Sequence, residues 1–426
     1  MLWRTILRSS SATWLAPLLA AFIAVLLSKD LTANVTSGYW PSALGSATFA
    51  LHFVAPACAT AGAWEGARCT RGAVTHWAPT RSGLGVALPL LLPVFALGAI
   101  GMAVASALTI SEGHPSGGMP PVGMVAVWLI VLAAHSFAGF LLGKRLPLVI
   151  GAPLALLLSF VLTAYPAALE PLWLRHMVTG GMTACCTLDQ TPSWQAASSA
   201  LVLALGVIAA GVAALTARTR RARIILASSA AAVGLISSGW LAYGLPADPV
   251  NARSAEQLRC AGEQPRICLW PEVSDTTMVR ENAADALHRL QQTGLTVPTE
   301  LTMDSNSPRR GAVFMGAWVN ATPSQVRTAV AGALLTSNPP ACAESQQFPG
   351  GDAYAPTAAW LSLTAGADAQ EVAGRFGPQD SAVATRVRKA PLDQQLAWFK
   401  HNNRALNDCT THPAPIPSPQ TQEAAR

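Results

Sequence analysis

Apolar positions change rhythm near residue 245. Before it, long apolar runs alternate with short polar breaks; after it, apolar residues recur every second, or every third to fourth, position. A helix crossing the hydrocarbon of a bilayer needs roughly 20 mostly apolar residues. Seven runs meet that length, at about 11–28, 42–63, 84–109, 122–142, 146–165, 196–216 and 224–245. Pro89, Pro93, Pro147 and Pro153 fall in the third and fifth runs and predict kinks there. The connection between the fourth and fifth runs is so short that it predicts an antiparallel hairpin. The first run reads as an uncleaved anchor, because Leu31-Thr32-Ala33 fits a small-x-small cleavage site poorly.

The second half has the period of a folded α+β domain. Arg266–Trp270 and 311–319 carry the β-branched, aromatic and other apolar residues of strands. Met278 to Leu290 places Val279, Ala283, Leu287 and Leu290 on one helical face. Thr322-Pro-Ser-Gln325 has the form of a capping box with proline at the first helical position. Asp368 repeats the cap ahead of a helix that stops at Gly377. A last helix, about 391–407, is expected to bury Leu392, Leu396 and Phe399. The proline-rich, polar stretch after Cys409 predicts a disordered tail.

Charge separates the halves again. Residues 1–245 carry 13 basic and 5 acidic side chains, whereas 246–426 carry 15 and 17. Overall 51% of residues are hydrophobic and 12% charged, about half the charge of an ordinary soluble domain, and the mean hydropathy is +0.35. The net charge of +6 therefore follows the membrane-type half and does not point to nucleic acid. Its placement gives sidedness, because basic residues are kept in cytoplasmic loops. Arg4 and Arg8, then Arg68, Arg71 and Arg81, then Lys144 and Arg145, then Arg218, Arg220, Arg221 and Arg223 occupy alternate loops. Only Lys29 and Arg175 fall on the other side. The expectation is a cytoplasmic N-terminus and an exterior C-terminal half in a bacterial cytoplasmic membrane.

Cysteine placement agrees with that sidedness. Cys58 and Cys69 have no evident partner, while Cys185, Cys186, Cys260, Cys268, Cys342 and Cys409 all fall outside, where disulfides persist. Cys260 with Cys268 and Cys342 with Cys409 are the favoured pairs, and the vicinal Cys185/Cys186 stays open. No metal site is expected, because no C-x-x-C pair occurs. Glu272, Asp275, Glu281, Asp285 and His288 are the acid–base candidates of the exterior half. Their spacing fits a solvated helix face better, and no H-E-x-x-H, G-x-S-x-G or S-x-x-K motif accompanies them. Within the runs, His52 and His135 are candidates for a substrate path, since intramembrane ionisable residues are functional candidates by default.

One stretch is polar where the first half is otherwise apolar: WEGARCTRGAVTHWAPTR, from Trp64 to Arg81. It reads as a helix that continues from the second run and turns at Pro79. Arginines that fix topology and tryptophans of the interfacial belt account for much of it. Glu65, Gly72, Pro79 and Arg81, placed after a second span, also resemble the loop of ABC-2 type permeases. The resemblance covers about residues 1–220; the family's Gly-Thr is replaced by Gly72-Ala73.

That resemblance implies a six-span core at 1–220, with 221–246 as a seventh anchor. The exterior α+β domain at 247–410 and the tail at 411–426 lie beyond it. It implies that Glu65, Arg68, Arg71, Gly72, Trp77, Pro79 and Arg81 form a coupling loop that rests on a cytoplasmic P-loop ATPase. It also implies a dimer, with a second copy or a second permease. The chain has no G-x-x-x-x-G-K-[ST] loop, so it would hold no cofactor itself; ATP and magnesium would sit in the partner. The implied function is the membrane subunit of an exporter and not an enzyme. The alternatives are a membrane-anchored exterior binding or sensor protein and, behind it, an exterior hydrolase.

Overall fold

The computed structural model describes residues 8–72, 82–116, 118–180, 182–183, 185–306, 311–335, 340–344 and 348–417. It is mostly helical and divides into two compact units, 1–253 and 254–426.

The first unit is a helical bundle. Its helices are α1 Ser11–Leu26, α2 Ser28–Thr32, α3 Trp40–Ala47, α4 Leu51–Arg71, α5 Gly83–Gly113, α6 Val122–Arg145, α7 Leu148–Ala164, α8 His176–Thr179, α9 Trp194–Thr216 and α10 Arg220–Ala242. Among the described residues, six helices are long and apolar enough to cross a membrane; α3 and α4 form one of them, through a single 3-10 turn. The first expected run falls short of this class, because its helix ends at Leu26 and resumes at Ser28. Polar Ser28-Lys29-Asp30 follow the break directly. Pro147 is also not a kink: it is the N-cap of α7, while Pro89, Pro93 and Pro153 lie inside their helices.

Contacts between chain segments define two ends of the bundle. At one end Ser10 and Ser11 meet Glu65, the Thr70 hydroxyl donates to the Lys144 carbonyl (3.4 Å), and Gly83 abuts Leu215. At the other, Gly38 N–H donates to the Gly113 carbonyl (2.7 Å), and the Tyr39 hydroxyl donates to the Gln190 carbonyl. There too the Thr36 hydroxyl donates to the Cys186 carbonyl (3.0 Å). Residues 11–36 thus run from one end to the other despite the break at Leu27. The arginine-bearing positions 68, 71 and 145 gather at the first end.

The tightest helix pair is α4 against α6, and glycine makes it so. A Cβ at Gly139 would fall inside the Ala59 carbonyl oxygen, and one at Gly143 inside that of Ala63. Gly62 and Gly66 meet the Ser136 and Phe140 carbonyls in the same way. Two Gly-x-x-x-Gly stripes therefore face each other, an arrangement that lets backbones touch where lipid removes the hydrophobic drive. Gly206 and Gly234 repeat the device between α9 and α10. Beyond α10 the chain is stitched back to the bundle. Strand β1 Gln190–Pro192 pairs antiparallel with β2 Val250–Ala252, Arg253 N–H donates to the Asp189 carbonyl (2.8 Å), and the Arg253 guanidinium lies over the Tyr39 ring. Residues 247–253, read from the sequence as exterior domain, thus belong to the first unit.

The second unit is built on a four-stranded sheet ordered β3 Arg259–Ala261, β4 Arg266–Leu269, β5 Glu300–Thr302, β6 Ala312–Phe314. β3 pairs antiparallel with β4; β4–β5 and β5–β6 are parallel. The β4–β5 crossover carries α11 Thr276–Gln292, whose N-cap Asp275 accepts from Met278 N–H (2.9 Å). There follow α12 Pro323–Ala333, α13 Tyr354–Thr364, α14 Ala369–Phe376, α15 Pro378–Val387 and α16 Leu392–Ala405. Thr322 and Gln325 form both bonds of the capping box, and Asp368 caps α14. The core centres on Trp270 and Trp360, both fully buried, with indole N–H groups donating to the Met303 carbonyl and the Gln395 side chain. On α16 the buried set is Trp398, Phe399, Asn402 and Ala405; Leu392, expected inside, is exposed and Leu396 half-buried. Disulfides join Cys260 to Cys268 across the β3–β4 register and Cys342 to Cys409, whose Cα atoms are 5.9 Å apart. Cys185 is bonded to Cys186 in the first unit.

Candidate functional site

Helix α4 does not stop where its apolar run does. It continues through Trp64 to Arg71 and ends at Gly72, so the polar stretch begins as the last two turns of a core helix. Glu65 sits there on the inner face and is buried, with 1% of its surface exposed. Its carboxylate accepts from Ser11 N–H (2.9 Å), from the Ser11 and Ser10 hydroxyls (3.1 and 3.3 Å), and from Arg68 Nη1 (3.1 Å). Arg68 also donates to the Ser9 carbonyl. A carboxylate beside the first N–H groups of a helix is stabilised by those donors and by the helix dipole. A buried carboxylate also needs such partners to stay charged. Glu65 and Arg68 therefore clamp the start of α1 onto the end of α4.

Of the residues assigned to the coupling loop, Glu65 is thus turned inward, Arg68 is partly exposed, and Arg71 and Gly72 are exposed at the helix end. Trp77, Pro79 and Arg81 lie outside the described residues. Beside the clamp is a cleft of about 560 Å³, lined by Ser10, Trp14, Trp64, Arg68 and Pro153 among others. Nothing in the sequence near Glu65 announces Ser10 and Ser11 as its partners, since they lie 55 and 54 positions away.

The two histidines of the runs part company. His52 Nδ1 bonds to the Phe49 carbonyl one turn back (2.8 Å), a local contact. His135 Nδ1 bonds to the Ser159 hydroxyl (2.7 Å), tying α6 to α7. That pair lines an otherwise apolar cleft of about 390 Å³, into which α9 and α10 also contribute Leu203 and Leu235. Its rim side chains Leu158, Leu162 and Leu235 are exposed on the outside of the bundle. Of the two, His135 lines this cavity.

In the second unit four of the five acid–base candidates have separate surroundings, and the fifth, Glu272, is buried. Asp275 is a helix cap, and Asp285 pairs with Arg289 (2.9 Å) and Arg327 (3.2 Å). His288 is exposed and contacts Gln292, and Glu281 is exposed. No group of three metal-ligating side chains occurs among the described residues. The unit does hold a cleft of about 530 Å³, between β6, α12, α13 and α14. No local pattern marks it, because its walls come from positions spread between Val313 and Leu406.

No curated protein and no solved structure matches the chain. Residues 267–409 are similar to a family described as a domain of unknown function, DUF7224, so the likeness runs from β4 to the Cys342–Cys409 disulfide and lies wholly within the second unit.

Proposed function

We propose that the chain is the membrane subunit of an ATP-driven exporter, with the second unit on the exterior side. The observation that carries this reading is the path of α4. One helix runs from the apolar bundle into the arginine-bearing end, and through Glu65 and Arg68 it grips the start of α1. Its glycines seat it against α6, so a push at Arg71 is passed to three helices at once. An ATPase from another chain, holding ATP and magnesium, would deliver that push. Two copies, or this chain and a second permease, would enclose the path. The His135–Ser159 cleft, open along the bundle's side, suits entry of an apolar substrate from the bilayer. Basic residues gathered at one end support a cytoplasmic placement for it, and disulfides in the second unit support an oxidising exterior.

A second reading, an exterior binding or sensing protein held by the bundle, draws on the family likeness falling in the second unit alone. Purification of the tagged full chain in mild detergent separates the two. The permease reading expects a P-loop ATPase at near-equal amount, and several-fold less of it with Arg71→Glu, an exposed position whose change leaves the Glu65 clamp intact. Recovery of wild-type chain with no ATPase overturns it and favours the exterior reading.

A further inference from the structure

The second unit's cleft has a chemistry that its overall charge would not suggest. Its walls carry four aromatic side chains, Phe314, Phe348, Tyr354 and Phe376, and its one charged group among the described lining residues is Arg375. Phe314 and Tyr354 are left 44% and 51% exposed, so their rings are open to a ligand. The Arg375 guanidinium is exposed and lies 5.7 Å from the Phe376 ring centre, held at the rim by its neighbour's face. Thr328 adds a hydroxyl to the wall. The unit as a whole is rich in acidic residues, yet none lines this cleft among the described residues. A volume of about 530 Å³ falls in the range of sites for small organic molecules, roughly 300–1,000 Å³.

We propose that this cleft binds an anionic amphiphile: a molecule with an apolar chain or ring system and one carboxylate or phosphate head. The chain lies against Phe314, Phe348 and Tyr354, and the head meets Arg375 at the rim. With no carboxylate among the described lining residues, Arg375 disfavours cationic ligands, and the aromatic walls offer a purely polar ligand few partners. The site stands on the second unit's own geometry and does not depend on the exporter reading.

Decanoate carrying a photoreactive diazirine tests it on the full chain in nanodiscs of zwitterionic lipid, with the labelled residues read by mass spectrometry. Label is expected on peptides containing Phe314, Tyr354 or Phe376, displaced by unlabelled decanoate and not by decanol or decylamine. Arg375→Gln is expected to weaken competition by decanoate about fivefold, the upper end for an exposed ion pair, and Arg375→Lys to restore most of it. Phe314→Ala, at an exposed position, should reduce labelling with either head group. Short-chain phosphatidate as competitor distinguishes the sources: stronger displacement than by decanoate assigns a lipid-borne phosphate head, weaker displacement a free acid. Label confined to the membrane helices, or equal displacement by decanol, overturns the proposal.

Discussion

In the first unit the closest approaches are backbone to backbone, at Gly139 against Ala59, Gly143 against Ala63 and Gly206 against Gly234. The second has such an approach too, Gly350 against the Ala405 carbonyl, but its centre is filled by large rings, with Trp360 tilted edge-on to Trp398 (6.3 Å between rings) and stacked on Phe399 (5.4 Å). Six described helices of the first unit are long and apolar enough to cross a membrane, and a different solvent for each unit would account for the difference. In water a large apolar side chain gains free energy by leaving the solvent, so bulk in the middle stabilises the fold. In lipid the tails are as apolar as leucine, and close fit between helices has to supply the attraction. The first unit buries bulk as well, in Ile23, Leu51, Leu97, Leu132 and Phe140, but it also leaves Val149, Ile150, Leu157, Leu162, Ile225 and Ile236 exposed on its outside. The second unit adds covalent ties as well, and Cys342–Cys409 closes a loop with a separation of 67 residues.

The largest expected effect lies in the water-type core. Trp360→Ala should destabilise the second unit by about 3–5 kcal/mol, the range for removing a buried tryptophan. Denaturation of the full chain in detergent, followed by proteolytic protection of 254–417, reads it. A thiol-reactive fluorophore reads the first unit separately, because Cys58 and Cys69 are free, buried thiols and the second unit's cysteines are paired. Unchanged thiol protection in Trp360→Ala is expected. Early exposure of those thiols would mean that the two cores unfold as one and would break the comparison.

The converse experiment enlarges the first unit's contact by one methyl. Gly139→Ala should cost roughly 1–3 kcal/mol as an overpacked site, although alanine is the better helix former. Earlier thiol labelling, with protection of 254–417 unchanged, is the expected result. A variant at least as stable as the parent would show that the α4–α6 backbone contact is not what holds the bundle. Thr322→Ala, which removes one half of a capping box on the rim of the second unit, should cost about 1 kcal/mol and leave the thiols untouched.

How much of this was legible follows the same division. Hydropathy located the long helices, because lipid-facing residues must be apolar whatever they touch. The capping box at Thr322–Gln325 and the cap at Asp368 were legible because both ends of each bond lie within four positions. Strands β3 and β5 were not legible: at three residues each they carry no alternation, and their pairing comes from β4 between them. The helices Tyr354–Thr364 and Pro378–Val387 also escaped; the first is buried nearly all round, so it shows no amphipathic face. The break at Leu27 has a local mark in the polar residues Ser28, Lys29 and Asp30 that follow it. Glu65 was singled out for its place in the sequence, but its partnership with Ser10 and Ser11 is a tertiary fact. The Gly-x-x-x-Gly spacing at 62–66 and 139–143 is a further local signal, and it marks some of the tightest backbone contacts among the described residues.

The smallest expected effect concerns the polar end of the first unit, where neither packing rule governs. His176 is fully buried beside α10, and its Nε2 bonds to the Pro246 carbonyl (2.7 Å), while Nδ1 has no partner among the described residues. In the neutral ring, Nε2–H donates to that carbonyl and Nδ1 keeps a bare lone pair. Protonation would place a second N–H where nothing accepts it. Burial therefore holds the pKa below the usual 6.5; the Pro246 carbonyl bond opposes this, neighbouring Arg175 adds to it, and Asp248 works against it. With the folded pKa below the unfolded one, the unfolded chain takes up the proton first. The contribution of neutral His176 is complete above the unfolded value and is lost as pH falls from there through the folded value. Thiol-detected unfolding of the first unit should occur progressively earlier as the pH drops below about 6.5, and His176→Gln should flatten that dependence. An unchanged pH dependence in the variant would place the titrating group elsewhere. A pH response seen in the protection of 254–417, rather than in the thiols, would move it to the second unit.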